Sequence, residues 1–432
     1  MKESIKKRIE AVRHGEVPEG YRIENGYLIP NDWKTVPLNR RFTRSTRKNK
    51  SGCENVLTIS AQMGLVNQRE FYDKDIASED KSGYFLMKNG EFAYNKSYST
   101  GYPYGAIKQL AKYDEGIVSP LYICFAPKAG TNTAFYTQYF EGGRYNREIY
   151  RIAQEGARNH GLLNIAVDDF FTGTLTEPGA DEQQRIAEIL ATCDRVIELK
   201  QQLLEEKRRQ KQWLMQKLLD PNSGTRVPGF EQSEWNEVSL LDCCIKKGEY
   251  GLNAPACEYS PELPQYIRIT DIDDNGKYMK DNPVSVNVSD AEDYYLHEGD
   301  LLFVRTGGTA GKVYRYEDGD GLLVYAGFLI RFSVDLKDYD DSFIYSQFST
   351  MGYANWVKVM SMRSGQPGIN AEEYGSFSFW VPKDKAEQSA IAAVLKCKDR
   401  EIELLLKDLE YWQQKKKALM QLLLTGLVRV NA

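Results

Sequence analysis

The chain has few of the residues that metal sites and catalytic centres are built from: three histidines and seven cysteines in 432 residues. Cys53, Cys124, Cys193, Cys243, Cys244, Cys257 and Cys397 form an odd set without a CxxC pair. That spacing argues against a disulfide framework or a zinc site and for reduced thiols. His14, His160 and His297 are isolated from one another and from any HExxH, so they read as structural or surface residues. No run of about 18 apolar residues occurs, and the start, MKESIKKRIEAVRHGE, lacks the apolar core of a signal peptide. A cytoplasmic protein with no membrane contact is expected. There is no GxGxxG behind a strand and no Asp/Asn-Pro-Pro-aromatic tetrapeptide of the kind amino-methyltransferases carry. Thr306 to Val313, TGGTAGKV, has the outline of a phosphate loop, but Thr306 replaces its first Gly and Val313 stands where Ser or Thr would hold magnesium. A fused nuclease would need a metal-binding carboxylate cluster, and none is identifiable. The chain does not read as an enzyme.

Gly and Pro are also missing from two long stretches, Glu182 to Leu219 and Glu387 to Leu424. An ungapped offset of 205 aligns them with eighteen of 38 positions identical, among them Glu182/Glu387, Ile186/Ile391, Asp194/Asp399, Ile197/Ile402, Leu204/Leu409, Leu214/Leu419 and Leu218/Leu423. Both are rich in strong helix formers, so each reads as one uninterrupted helix of roughly 57 Å. Positions alternately three and four apart make a heptad seam: Leu190, Cys193, Ile197, Lys200, Leu204, Lys207, Lys211, Leu214 and Leu218 in one copy. In the other they are Leu395, Lys398, Ile402, Leu405, Leu409, Trp412, Lys416, Leu419 and Leu423. The second copy has Leu405 and Trp412 where the first has Lys200 and Lys207, which suits a pair of unlike helices whose lysine stems lie along apolar neighbours with their heads in water. Two independent helices, each covering its own domain, are the simpler alternative.

The repeat extends beyond the helices. Trp33, Val36 and Leu38 match Trp235, Val238 and Leu240 at an offset of 202. Each unit thus runs from a Trp entry through a globular body of about 150 residues to a long helix, a length that suits two domains. We expect a basic amino-terminal segment at 1–28, recognition domains at 29–180 and 233–384, spacer helices at 181–219 and 385–425, a Pro/Gly linker at 220–232 and a tail at 426–432. Residues 1–13 read as a short basic helix. The bodies are rich in Tyr and Phe, with β-like runs at Val56 to Ile59, Leu121 to Phe125, Tyr266 to Ile269, Asp300 to Arg305 and Gly327 to Phe332. They read as α+β with a predominantly antiparallel or mixed sheet, and the whole as two-fold in character.

Lysine and arginine number 56 against 61 acids, a formal charge of −5 that weighs against indiscriminate polyanion binding, so local patches decide. Arg40 to Lys50, RRFTRSTRKNK, has six basic residues and no acid: Arg40, Arg41, Arg44, Arg47, Lys48 and Lys50. Such a run suits phosphates, although charged runs are commonly just solvated. Phe92 to Lys108 interleaves Lys96 and Lys108 with Tyr94, Tyr98, Tyr102 and Tyr104, beside Asn95, Ser97, Ser99 and Thr100. Its amides and hydroxyls suit base edges or phosphates; the plainer reading, tyrosines packing a sheet, covers about half of them but not both lysines. In the second body Leu301 to Lys312 is a strand entering a Gly/Thr turn, with Arg305, Thr306, Thr309 and Lys312. Met362 to Asn370 offers Arg363, Ser364 and Gln366 on a Gly/Pro loop. Arg pairs with guanine and Gln with adenine, whereas a turn that merely links two elements is the competing reading.

These features together resemble the specificity subunit of type I restriction-modification enzymes. The likeness runs over nearly the whole chain. It rests on both EQ-led helices ending in LMQKLL and LMQLLL, the Trp entries, GDLLFVRTGGTAGK, SGQPGIN and NKSYSTGYPYGAIK; Ala157 to Ile165, ARNHGLLNI, departs from the SGQPGIN pattern in the first body. The resemblance implies two target-recognition domains separated by two antiparallel helices, each domain reading one half of a split, asymmetric sequence in double-stranded DNA. It further implies two methyltransferase subunits, a motor/nuclease subunit, and no cofactor in this chain, with S-adenosylmethionine, ATP and magnesium bound by those partners. A helical protein-interaction scaffold that binds no DNA is the alternative.

Overall fold

The computed structural model describes residues 3–72, 80–153, 163–289, 291–362 and 368–430. The chain divides into two units, one of residues 1–200 with 408–432 and one of residues 201–407. Each unit therefore takes part of both long helices.

The first unit opens with α1 (Glu3–Arg13) and contains β1 (Lys34–Pro37), β2 (Phe42–Arg44), β3 (Phe92–Asn95), β4 (Ala106–Gln109), β5 (Ile123–Pro127) and β6 (Thr174–Glu177). A four-stranded sheet has the order β2-β5-β3-β4, and β1 pairs antiparallel with β6. Aromatic residues fill its core: Phe92 stacks on Phe125 with centroids 5.5 Å apart, and Phe42 meets both edge-on. Into this core pack Ile186 and Leu190 from α2 (Ala180–Leu218), together with Met420, Leu423 and Leu424 at the far end of the chain.

The second unit has β7 (Trp235–Ser239), β8 (Glu249–Tyr250), β9 (Asp300–Val304), β10 (Val313–Arg315), β11 (Leu329–Ser333) and β12 (Ser378–Pro382), then α3 (Lys385–Leu423). Its main sheet has the order β8-β11-β9-β10, and β7 pairs antiparallel with β12. Strand for strand this is the order of the first unit. The core joins Phe303, Phe332, Phe343 and Tyr374 to Met215 and Leu218 of α2 and to Ile391 and Leu395 of α3. The described strand ladders are antiparallel, except that Gln265–Ile267 runs parallel to Leu323–Tyr325 in a second small sheet. The expected run to Ile269 stops short there because Asp271 accepts the Arg268 amide and guanidinium and closes a single helical turn at Ile269–Asp271.

With no Gly or Pro to break them, both long helices are continuous. α2 stops before Pro221, and α3 before Gly426, whose φ of 73° suits a residue without Cβ. Every seam position named above is buried or half-buried, and the helices pair antiparallel within each unit. In the first unit Lys416 Nζ lies 2.5 Å from Asp194 and Lys200 pairs with Asp408. In the second, Lys211 meets Asp399 at 2.5 Å and Lys207 meets Glu401 at 2.5 Å. The lysine heads are thus not simply in water: carboxylates of the facing helix take them, a pairing set by the antiparallel register.

The residues that lead the helices act inside the fold. Glu182 accepts the Trp33 indole N–H at 3.1 Å, and Arg429 binds both Glu182 and Asp32. In the second unit Trp235 donates to Ser233, which donates to Glu387. Gln183 and Gln388 donate to the carbonyls of Pro178, which follows β6, and Pro382, which ends β12, just before the helices.

Candidate nucleic-acid interface

In each unit the third strand across the main sheet, β3 or β9, is followed directly by a cation. Lys96 follows β3 and Arg305 follows β9, the same place in the same strand order. A second equivalence fixes them: Leu163 N–H donates to the Lys96 carbonyl at 3.1 Å, and Ile369 N–H to the Arg305 carbonyl at 2.8 Å. Leu163 therefore meets its sheet as Ile369 does, although the sequences around the two share little. Residues 154–162 lie outside the described residues, as do Arg363, Ser364 and Gln366.

Around Lys96, the half-buried Lys96 and the exposed Arg44 line one cleft of about 60 Å³ with Phe85 and Tyr122. Tyr98 is 64% exposed on the following loop, where Asn95 Oδ1 accepts the Ser97 N–H and shapes the turn. The remaining tyrosines face inward. Tyr94 is in the core and donates to the Tyr104 carbonyl at 2.8 Å, and Tyr102 donates to Glu141 at 2.6 Å. Burial, and then Glu141, push the Tyr102 phenol above its ordinary value, so it stays a donor. Lys108 is buried and ion-paired with Glu141. Packing thus takes up Lys108, which was expected to contact DNA, because the inward side of β4 carries it under the helix Thr133–Glu141, whereas Lys96 stays half-buried.

The basic run divides similarly. Arg41 is forked onto Glu177, whose hydrogen bonds raise its pKa, and Arg47 onto Glu91 at 3.1 Å. Lys48 donates to the Gly83 carbonyl at 2.7 Å and lies over the Phe85 ring. Arg40, Arg44 and Lys50 are exposed, with no ion-pair partner among the described residues.

In the second unit the Gly/Thr turn closes a hairpin from β9 to β10 and leads into no helix, which disposes of a phosphate loop on structural grounds. Gly311, at φ 94°, has Val357 where a Cβ would stand, so the turn cannot carry a side chain there. Thr306 bridges to Gly368, and the Thr309 carbonyl accepts the Lys312 N–H. Lys312 Nζ binds the exposed Asp274 at 2.7 Å and holds that carboxyl below the usual range, a surface pair weak enough to exchange for a phosphate. Arg305 is constrained from several sides. Its N–H donates to Phe328, its guanidinium lies over the Tyr250 ring at 4.8 Å, and its Nε is buried without an acceptor. Tyr250 carries no charge and no motif, so its part is invisible until β8 is seen two strands from β9.

Among the described residues no group of three His, Cys, Asp or Glu could hold a metal ion, and no helix is long and apolar enough to cross a membrane. Residues 232–410 match the family model of the type I restriction modification DNA specificity domain. That stretch is therefore similar to a type I restriction-modification specificity domain. It takes in Arg305, Tyr250, the Gly/Thr hairpin and most of α3. A chain from a structure of type I restriction-modification complex assembly and conformational transition is 12% identical, with 93% of this chain and 100% of that one covered at a TM-score of 0.57. The S subunit of a type I system from M. genitalium is 13% identical over 93% of this chain and 97% of its own, at 0.55. At such identity the likeness is one of fold. No curated protein matches. The family match over residues 232–410 and the fold over most of the chain agree with the resemblance read from the sequence.

Proposed function

We propose that this chain is a specificity subunit that reads a bipartite, asymmetric site in double-stranded DNA, one half with each body, and positions two methyltransferase subunits and a motor/nuclease subunit on it. On this reading 29–180 and 233–384 are the recognition domains, and 181–219 and 385–425 the spacers that set the distance between half-sites. S-adenosylmethionine, ATP and magnesium belong to the partners, which work in the cytoplasm. The observation that carries the reading is the paired placement of Lys96 and Arg305 at one position of one strand order. Two similar platforms ending in different cations suit two different half-sites. Arg305 is the base reader, its fork suited to the O6 and N7 of guanine; Arg40, Arg44, Lys50 and Lys96 are phosphate contacts around Tyr98. Arg41 and Lys108 hold the first body together.

Exposed apolar residues on the helices, Leu199 in the first unit and Leu203 and Leu404 in the second, support partner contact. They would equally serve a scaffold that binds no DNA. Titrating duplex DNA into the chain with its partners separates the two: recognition requires a steep fall of log K with log salt, and a scaffold gives none.

A further inference from the structure

A cavity of about 290 Å³ lies in the first unit, away from the sheet face just described. Asn25 and Gly26, both at positive φ, turn the hairpin between Tyr21–Glu24 and Tyr27–Pro30 and present Tyr27 as one wall. Gly143, at φ 65°, turns the chain between the helices Thr133–Glu141 and Asn146–Ile152 and presents Arg144 and Arg147 as another. Val12 of α1 and Leu427 add apolar surface.

Both guanidinium groups lie against the one Tyr27 ring, Arg144 at 5.8 Å and Arg147 at 4.8 Å from its centroid. Two like charges gathered at one ring are best held there by an anion that joins them. The carboxylate nearest to hand is spent: Glu148 accepts the Tyr27 hydroxyl, the Thr174 N–H and Arg151. Arg147 uses one N–H on the Gly26 carbonyl, while Arg144 has a buried Nε with no acceptor. A buried guanidinium N–H left without an acceptor is costly, so an arrangement that retains one is suited to an acceptor from outside the chain.

We propose that this cavity is a phosphate site in which Arg144 and Arg147 grip one phosphoryl group from two sides. Two arginine forks match the charge and the oxygens of a phosphate, and the volume admits that group with little more than a sugar attached. The phosphate comes either from a DNA backbone or from a small phosphoester, and the test separates these sources.

The full chain is melted in inorganic phosphate and in chloride at matched ionic strength, and duplex DNA binding is followed against salt. Phosphate is expected to raise the melting temperature of the wild type. Arg144→Gln/Arg147→Gln is expected to abolish that rise, and Arg147→Lys, which keeps the charge and is the fallback should the double variant not fold, to weaken phosphate binding about tenfold. A slope of log K on log salt shallower by about one to two in the double variant assigns the site to the DNA backbone; an unchanged slope with the phosphate response lost assigns it to a small phosphoester. A wild type indifferent to phosphate whose DNA slope is also unmoved by the substitutions overturns the proposal.

Discussion

Arg305 is held through both backbone groups and one ring face, and so it projects a nearly fixed fork. Arg305→Ala should remove about 1–3 kcal/mol of discrimination at one base pair of one half-site and leave the other half's preference intact. Competition between duplexes carrying single substitutions measures this; relaxation of both halves together would count against modular reading. Arg44→Ala and Lys96→Ala should instead weaken all sequences alike, with the salt slope shallower by about one each. Glu182 and Glu387 align in sequence but differ in surroundings. Glu182→Gln leaves Arg429 with Asp32 as its one carboxylate and should cost about 1–2 kcal/mol, discounted for the partial exposure of that arginine. Glu387, fully buried with one oxygen unpartnered and no cation facing it among the described residues, should tolerate Gln within about 1 kcal/mol. Urea denaturation of both variants decides. Lys96 and Arg305 were legible as candidates because cations beside glycine turns stand out in sequence. Tyr250 and the burial of Lys108 were not, since both depend on which strand lies beside which.

The long helices were the most legible elements, because a seam repeated over 38 residues leaves little else for the chain to do. Their cross-helix ion pairs were not, for a heptad pattern does not say which carboxylate an antiparallel partner presents. Asp194·Lys416 and Lys211·Asp399 are the same pair under the 205-residue offset, one in each unit. Lys211→Asp and Asp399→Lys should each destabilise by under about 1 kcal/mol beyond the new repulsion, and the double swap should recover most of the loss in a double-mutant cycle. Acid should loosen the same helices. Lys407 first, and then Arg400, hold the Glu403 carboxyl down at about 2 against an ordinary 4.5. A folded value below the unfolded one stabilises above pH 4.5, and that contribution fades as pH falls toward 2. Helical circular dichroism on melting should show the loss between those values, smaller in high salt because these groups are exposed.

For the whole molecule, the shared strand order of the two bodies was only partly foreseen: short strands and the Trp entries could be read, but the bond from Leu163 to its sheet could not, because a backbone hydrogen bond leaves no residue signature. If the paired helices set half-site spacing, one heptad added at matching points of both should move the halves apart by about three base pairs, at roughly 1.5 Å per residue and 3.4 Å per base pair. The most direct measurement is sequencing of methylated adenines in cells that express this chain with its methyltransferase partner. A split motif with a constant gap, one half of which changes in Arg305→Ala, is the expected result; methylation at a single uninterrupted motif, or a motif the chain does not alter, would contradict it.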